Sequence, residues 1–159
     1  MILLENGIII TSEKEEKGTI VIKDGNIVDV LYSTDEGYPL NVWNYRKEAD
    51  QVIDIEGKHV MAGGIDAHVH FREPGLTHKA DMATESLAAV AGGVTSVMDM
   101  PNTSPATTSA EALKGKLELA KEKSVAKTSF HIGATNSNVG DICRLITKGD
   151  DKTGITPDD

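Results

Sequence analysis

The stretch Gly63-Gly64-Ile65-Asp66-Ala67-His68-Val69-His70-Phe71-Arg72-Glu73-Pro74-Gly75 decides how the rest of this chain is read. A β-strand is expected over residues 65–71, and side chains on a strand alternate between its faces. Asp66, His68, His70 and Arg72 then point one way while Ala67, Val69 and Phe71 point the other. A strand buried in a parallel sheet carries apolar residues on both faces, so a polar file of this kind needs partners, and a metal ion suits two imidazoles. Two histidines make half of a four-coordinate zinc shell, so further ligands must come from elsewhere. Pro74-Gly75 ends the strand and puts His70 and Arg72 at its C-terminal edge, where βα-barrel sites are built.

Downstream, strand-like and helical runs alternate. Residues 81–91 read as a helix stopped by Gly92-Gly93, and residues 94–100 as a strand. Thr108 and Glu111 form a capping box for a second helix with Leu113, Leu117 and Ala120 as one apolar stripe, which Gly115 weakens without ending. Residues 128–134 give a third strand, and Val139, Ile142, Leu145 and Ile146 a short third helix. This alternation predicts an α/β fold with a parallel sheet, three βα units over residues 65–147. The second strand runs into Met100-Pro101-Asn102-Thr103-Ser104-Pro105, whose prolines leave Asn102 exposed on a stiff loop at the same edge as His70 and Arg72. A guanidinium and an amide on one rim can clasp a carboxylate; Asn102 is equally suited to closing a turn.

Upstream, residues 1–64 read as a small β unit with tight turns at Asp24-Gly25 and, more weakly, Glu56-Gly57, each joining a hairpin. Residues 33–49 hold Gly37, Pro39, Trp43 and several charges without a clear period, and are expected to be an irregular connection. The polar stretch 148–159, with Ile155 its one large apolar residue, is expected to be disordered or a junction.

Composition narrows the function classes. Sixteen basic residues against twenty-five acidic give a net charge of −9, which repels nucleic acid and anionic membranes. One cysteine, Cys143, makes no internal disulfide and reads as a small buried hydrophobe in a protein of the reducing cytoplasm. No apolar run approaches a membrane span, and Glu5 interrupts the apolar start too early for a signal peptide. The five methionines read as core filling, and His59, His78 and His131 as structural residues.

Residues 65–75 with Ala91-Gly92-Gly93-Val94-Thr95 and Met100-Pro101-Asn102-Thr103 closely resemble the N-terminal portion of dihydroorotases of the amidohydrolase superfamily. Related hydantoinases, dihydropyrimidinases and allantoinases resemble the His-x-His strand, while the Phe71–Gly75 segment together with Met100–Thr103 is most like dihydroorotase. The resemblance covers about residues 1–140 and implies a small β-sandwich followed by a metal-bearing (β/α)8 barrel. It implies that His68 and His70 are ligands of one or two zinc ions, that Arg72 and Asn102 hold the carboxylate of a small-molecule substrate, and that Asp66 supports the strand end. The reaction implied is reversible opening of dihydroorotate to N-carbamoyl-aspartate, in pyrimidine synthesis. The general base and the other ligands belong to later barrel strands. A complete barrel runs to about 250 residues, so the chain is expected to be a fragment or one piece of an assembly, with open strand edges that favour a homo-oligomer or association through the incomplete barrel. The alternatives are a catalytically inactive dihydroorotase-like module that binds a partner subunit, or a related amidohydrolase of the hydantoinase or allantoinase type.

Overall fold

Alternating apolar residues in β1 (Ile2–Ile10) and a block of them in β2 (Glu15–Lys23) build the first unit, Met1–Ala62, of this computed structural model, which describes residues 1–156. β2 pairs antiparallel with β1 and with β3 (Asn26–Tyr32), and the β2–β3 turn places Asp24 at φ 51° and Gly25 at φ 77°, the positive pair a primed hairpin turn requires. β4 (Gln51–Asp54) and β5 (His59–Val60) both run parallel to β1. Glu56-Gly57 is therefore a tight turn without being a hairpin: it rides over a bulge in β1, where Asn6 has φ 59° and its carbonyl accepts the Gly57 N–H at 2.8 Å.

Residues 33–49 depart from the expected irregular connection, since α1 (Tyr38–Glu48) occupies most of them. Gly37 and Pro39 stand at its start, where a helix tolerates them. Tyr38, Val42, Tyr45 and Ala49, spaced to share one helical face, pack on Leu3, Val21 and Leu31 of the sheet. The buried Glu5 carboxylate takes both Nε and Nη2 of Arg46, and the Tyr45 hydroxyl donates to Asp29 at 2.9 Å, so helix and sheet are also joined by polar bonds. Within the described residues this unit is one five-stranded sheet with α1 packed on it.

The second unit begins at Gly63. β6 (Gly64–Val69), β7 (Val94–Asp99) and β8 (Lys127–Phe130) are parallel in that order. α2 (Met82–Ala91) is capped by Asp81, whose carboxylate accepts the Thr84 N–H at 3.0 Å. α3 (Ala110–Lys123) is capped by Ser109, whose hydroxyl accepts the Ala112 N–H at 3.2 Å, rather than by the expected Thr108. β8 is shorter than expected, since beyond His131 the chain turns to the loop after β7, with Gly133 N–H donating to Thr107 O at 2.8 Å. α4 (Val139–Lys148) completes the unit.

Phe71, Met82, Val97 and Ala126 form one core cluster, and Ala110, Leu113, Leu145 and Ile155 another. The expected single stripe on α3 divides between them, Ala120 joining the first and Leu117 the second. Cys143 is exposed rather than buried, and of the methionines Met82 is core while Met61 and Met98 are exposed. β6 is almost wholly exposed, Ile65 by 72%. Residues 149–156 are folded rather than disordered. Gly149 turns with φ 72°, Asp150 N–H donates to Ile155 O at 2.8 Å, and buried Ile155 supplies the apolar anchor. The rest of that stretch, 157–159, lies outside the described residues. Among the described residues no helix is long and apolar enough to cross a membrane.

Candidate functional site

The parallel sheet delivers the ends of β6 and β7 to one edge, and the residues singled out from the sequence stand there. His68, in the last part of β6, is exposed, and His70, just past its end, is half-buried. Their ring centres are 5.3 Å apart at an interplanar angle of 67°. Two imidazoles bound to one zinc at the usual Zn–N distance of about 2.1 Å have ring centres about 5 Å apart, so the pair fits the metal's demand. Among the described residues no cluster of three or more ligating side chains occurs.

The strict alternation assumed for this strand does not hold through it. The ladder between β6 and β7 slips between Asp66 and Val69, and the Asp66 carboxylate bends back to accept the N–H of His68 at 3.0 Å. Nε2 of His131, just past β8, donates to the carbonyl of Ala67 within the slip, at 2.9 Å. Arg72 has φ 64°, so the chain has left strand geometry before reaching it.

Asn102 touches His70. Its Oδ1 accepts the Nδ1–H of His70 at 2.9 Å. This bond selects the tautomer in which Nε2 carries the free lone pair, the state a metal-ligating imidazole needs. Oδ1 is thereby used while the Nδ2 hydrogens remain available, which favours a recognition role over simple turn closure. Arg72 is half-buried, and among the described residues its guanidinium has no ion pair or side-chain hydrogen bond, with Asn102 or any other group. The structure thus groups His68, His70 and Asn102, and leaves Arg72 as an uncommitted cation on the adjoining loop.

The two loops are stitched together below the site. Ser104 N–H donates to Pro74 O at 3.1 Å. The buried Glu73 carboxylate accepts the Met82 N–H at 3.1 Å and Nζ of Lys123 at 2.5 Å, tying the loop after β6 to α2 and α3. That hydrogen bond raises the Lys123 ammonium above its ordinary pKa, and the Thr84 N–H holds the Asp81 carboxyl below its own. Buried Asp99, at the end of β7, accepts the Phe71 N–H at 2.9 Å and Nζ of Lys116 at 2.5 Å. Sequence reasoning passed over Asp99, Lys116 and Glu73, whereas His131, read as a structural residue, braces Ala67. A signal existed for two of them: Asp99 ends an otherwise uncharged strand, and Lys116 lies in line with the apolar stripe of α3.

Residues 59–156 match the sequence profile described as the amidohydrolase family. A dihydroorotase from Methanothermobacter thermautotrophicus is 40% identical over 118 residues, 74% of this chain and 27% of the relative. One from Streptococcus pneumoniae is 38% identical over 154 residues, 94% of this chain and 34% of the relative. Among solved structures, an L-hydantoinase (dihydropyrimidinase) from Arthrobacter aurescens superposes with a TM-score of 0.77 at 26% identity, covering 91% of this chain and 30% of that one. The chain thus spans no more than about a third of the length of these relatives.

Proposed function

The chain belongs to the amidohydrolase family, and on that footing we propose that it is the N-terminal part of a zinc-dependent cyclic amidohydrolase of the dihydroorotase type, interconverting dihydroorotate and N-carbamoyl-aspartate in pyrimidine biosynthesis. The observation that carries the reading is the pairing of His68 and His70 at metal-ligand spacing, with Asn102 fixing the tautomer of one of them.

In this reading β6, β7 and β8 are the first three strands of a (β/α)8 barrel, and the exposed face of β6 is covered by strands beyond residue 159. His68 and His70 would hold one or two zinc ions with ligands from those strands. When bound, zinc lowers the pKa of its water to about 7 and polarises the attacked carbonyl. Arg72 offers two parallel N–H donors to the substrate carboxylate, and Asn102 adds one from Nδ2 while its Oδ1 stays on His70. Anchoring the carboxylate on this rim orients the ring so that its cyclic amide faces the metal edge of β6. The general base lies on a later strand, so turnover belongs to the longer protein and not to residues 1–159 alone.

The likeness to hydantoinases supports a second reading within the same chemistry, hydrolysis of a cyclic amide without the carboxylate. The test is the full-length protein, assayed for zinc content and for hydrolysis of dihydroorotate, hydantoin and dihydrouracil. Zinc-dependent turnover of dihydroorotate that a chelator abolishes supports the first reading. Preference for hydantoin selects the second. A zinc-free, inactive protein of 159 residues that co-purifies with an active subunit would replace both with a partner-binding module.

A further inference from the structure

Behind the ends of β6 and β7 lies a charge pair that the metal and carboxylate chemistry does not use. Asp99 and Lys116 have side chains only 1% exposed, with Nζ 2.5 Å from Oδ2. Lys116 also donates to the Met100 carbonyl at 3.2 Å, and its ammonium lies 4.8 Å from the centre of the Phe130 ring. The other carboxylate oxygen accepts the N–H of Phe71. A buried ion pair is a poor device for stability, since apolar residues of the same volume do as well or better. Its bonds therefore have to be explained by where they go. They end on the backbone of Phe71, the residue after His70, and of Met100, two residues before Asn102.

Resting on the reading of His68, His70 and Asn102 above, we propose that Asp99 and Lys116 are positioning residues, which lock the backbones on either side of the His70–Asn102 hydrogen bond so that His70 holds one tautomer and one orientation toward the metal. The pair grips both segments from beneath, and its charge makes the grip specific. Oδ1 of Asp99 fixes the segment leaving β6, and Nζ of Lys116 fixes the segment leaving β7. Without the cation the carboxylate loses its partner, the Met100 carbonyl is released, and Asn102 moves with it.

The test uses the longer protein that supplies the remaining strands, with proton–nitrogen spectra of labelled histidine and zinc titration as readouts that need no turnover. In the wild type His70 carries its proton on Nδ1. Lys116→Met is expected to mix the tautomers of His70 and to weaken zinc binding about tenfold, the range seen when a bond to a ligating histidine is lost. Asp99→Asn, which keeps the shape and can still accept from Phe71, is expected to show a smaller change in the same direction and guards against a Lys116 variant that fails to fold. Leu145→Ala, in the core cluster away from the site, is the control and lowers the melting temperature alone. Lys116→Met and Asp99→Asn chains that melt lower yet keep the His70 tautomer and bind zinc within twofold of wild type would overturn the proposal. Absence of dihydroorotate hydrolysis in the longer protein would count against the function and leave these readouts intact.

Discussion

Gly75 passes so close to Ser104 that a Cβ built on it would sit 1.9 Å from the Ser104 carbonyl oxygen, and its φ of 82° is one that side-chain-bearing residues rarely adopt. Both obstacles are backbone, so neither yields to a rotamer change. Gly75→Ala is expected to cost about 2 kcal/mol or more of stability, measured by urea denaturation. A loss under about 0.5 kcal/mol would mean that the loops after β6 and β7 slide apart freely.

Asn102→Ala removes the acceptor from Nδ1 of His70 and one donor from the rim. Zinc affinity of the longer protein is expected to fall by roughly tenfold or more, read by competition with a chromogenic chelator. Unchanged affinity together with a raised KM would assign Asn102 to the substrate alone.

Arg72→Met removes the uncommitted cation without disturbing any ion pair. If the guanidinium holds a carboxylate, KM for dihydroorotate rises by roughly a hundredfold, while a cyclic amide lacking the carboxylate is turned over nearly as before. An equal loss on both substrates would place Arg72 in the architecture of the loop instead.

The Asp81 carboxyl titrates below its ordinary value of 3.8, chiefly because the Thr84 N–H donates to it at the start of α2. A folded-state pKa below the unfolded one means stability that is present above 3.8 and is lost as pH falls through the lowered value. Asp81→Ser keeps a capping oxygen that does not titrate in this range. Its melting temperature is expected to fall less between pH 4 and pH 2 than that of the wild type, and an identical fall would refute the assignment.

The strands and helices after residue 64 were legible because glycine and proline punctuate them where the hydrophobic period changes, as at Gly92-Gly93 and Pro74-Gly75. The same punctuation misled upstream. Gly37 and Pro39 look like loop residues but open α1, whose apolar face is built from two tyrosines, a valine and an alanine among charges. His68 and His70 drew notice as a His-x-His pair, but their 5.3 Å approach comes from a strand whose ladder slips between Asp66 and Val69 and ends before His70, not from regular alternation. The His70–Asn102 bond spans thirty-two positions, and the Asp99–Lys116 bond seventeen, set by how α3 packs on the sheet, which no local pattern records. Ile155 shows the same limit in reverse: one apolar residue in a polar tail is enough to fold it back once α3 and α4 offer a cluster to enter.

The bond from His131 to the Ala67 carbonyl joins residues sixty-four positions apart, and this separation is also an interval of time during synthesis. At about 5–20 residues per second a ribosome takes roughly 3–13 s to travel from Ala67, beside His68, to the side chain that braces it. For that interval the slip in β6 has no brace, and the imidazoles await their final geometry. The order of translation thus sets a lower bound on how early a nascent chain can present the two imidazoles in their final geometry.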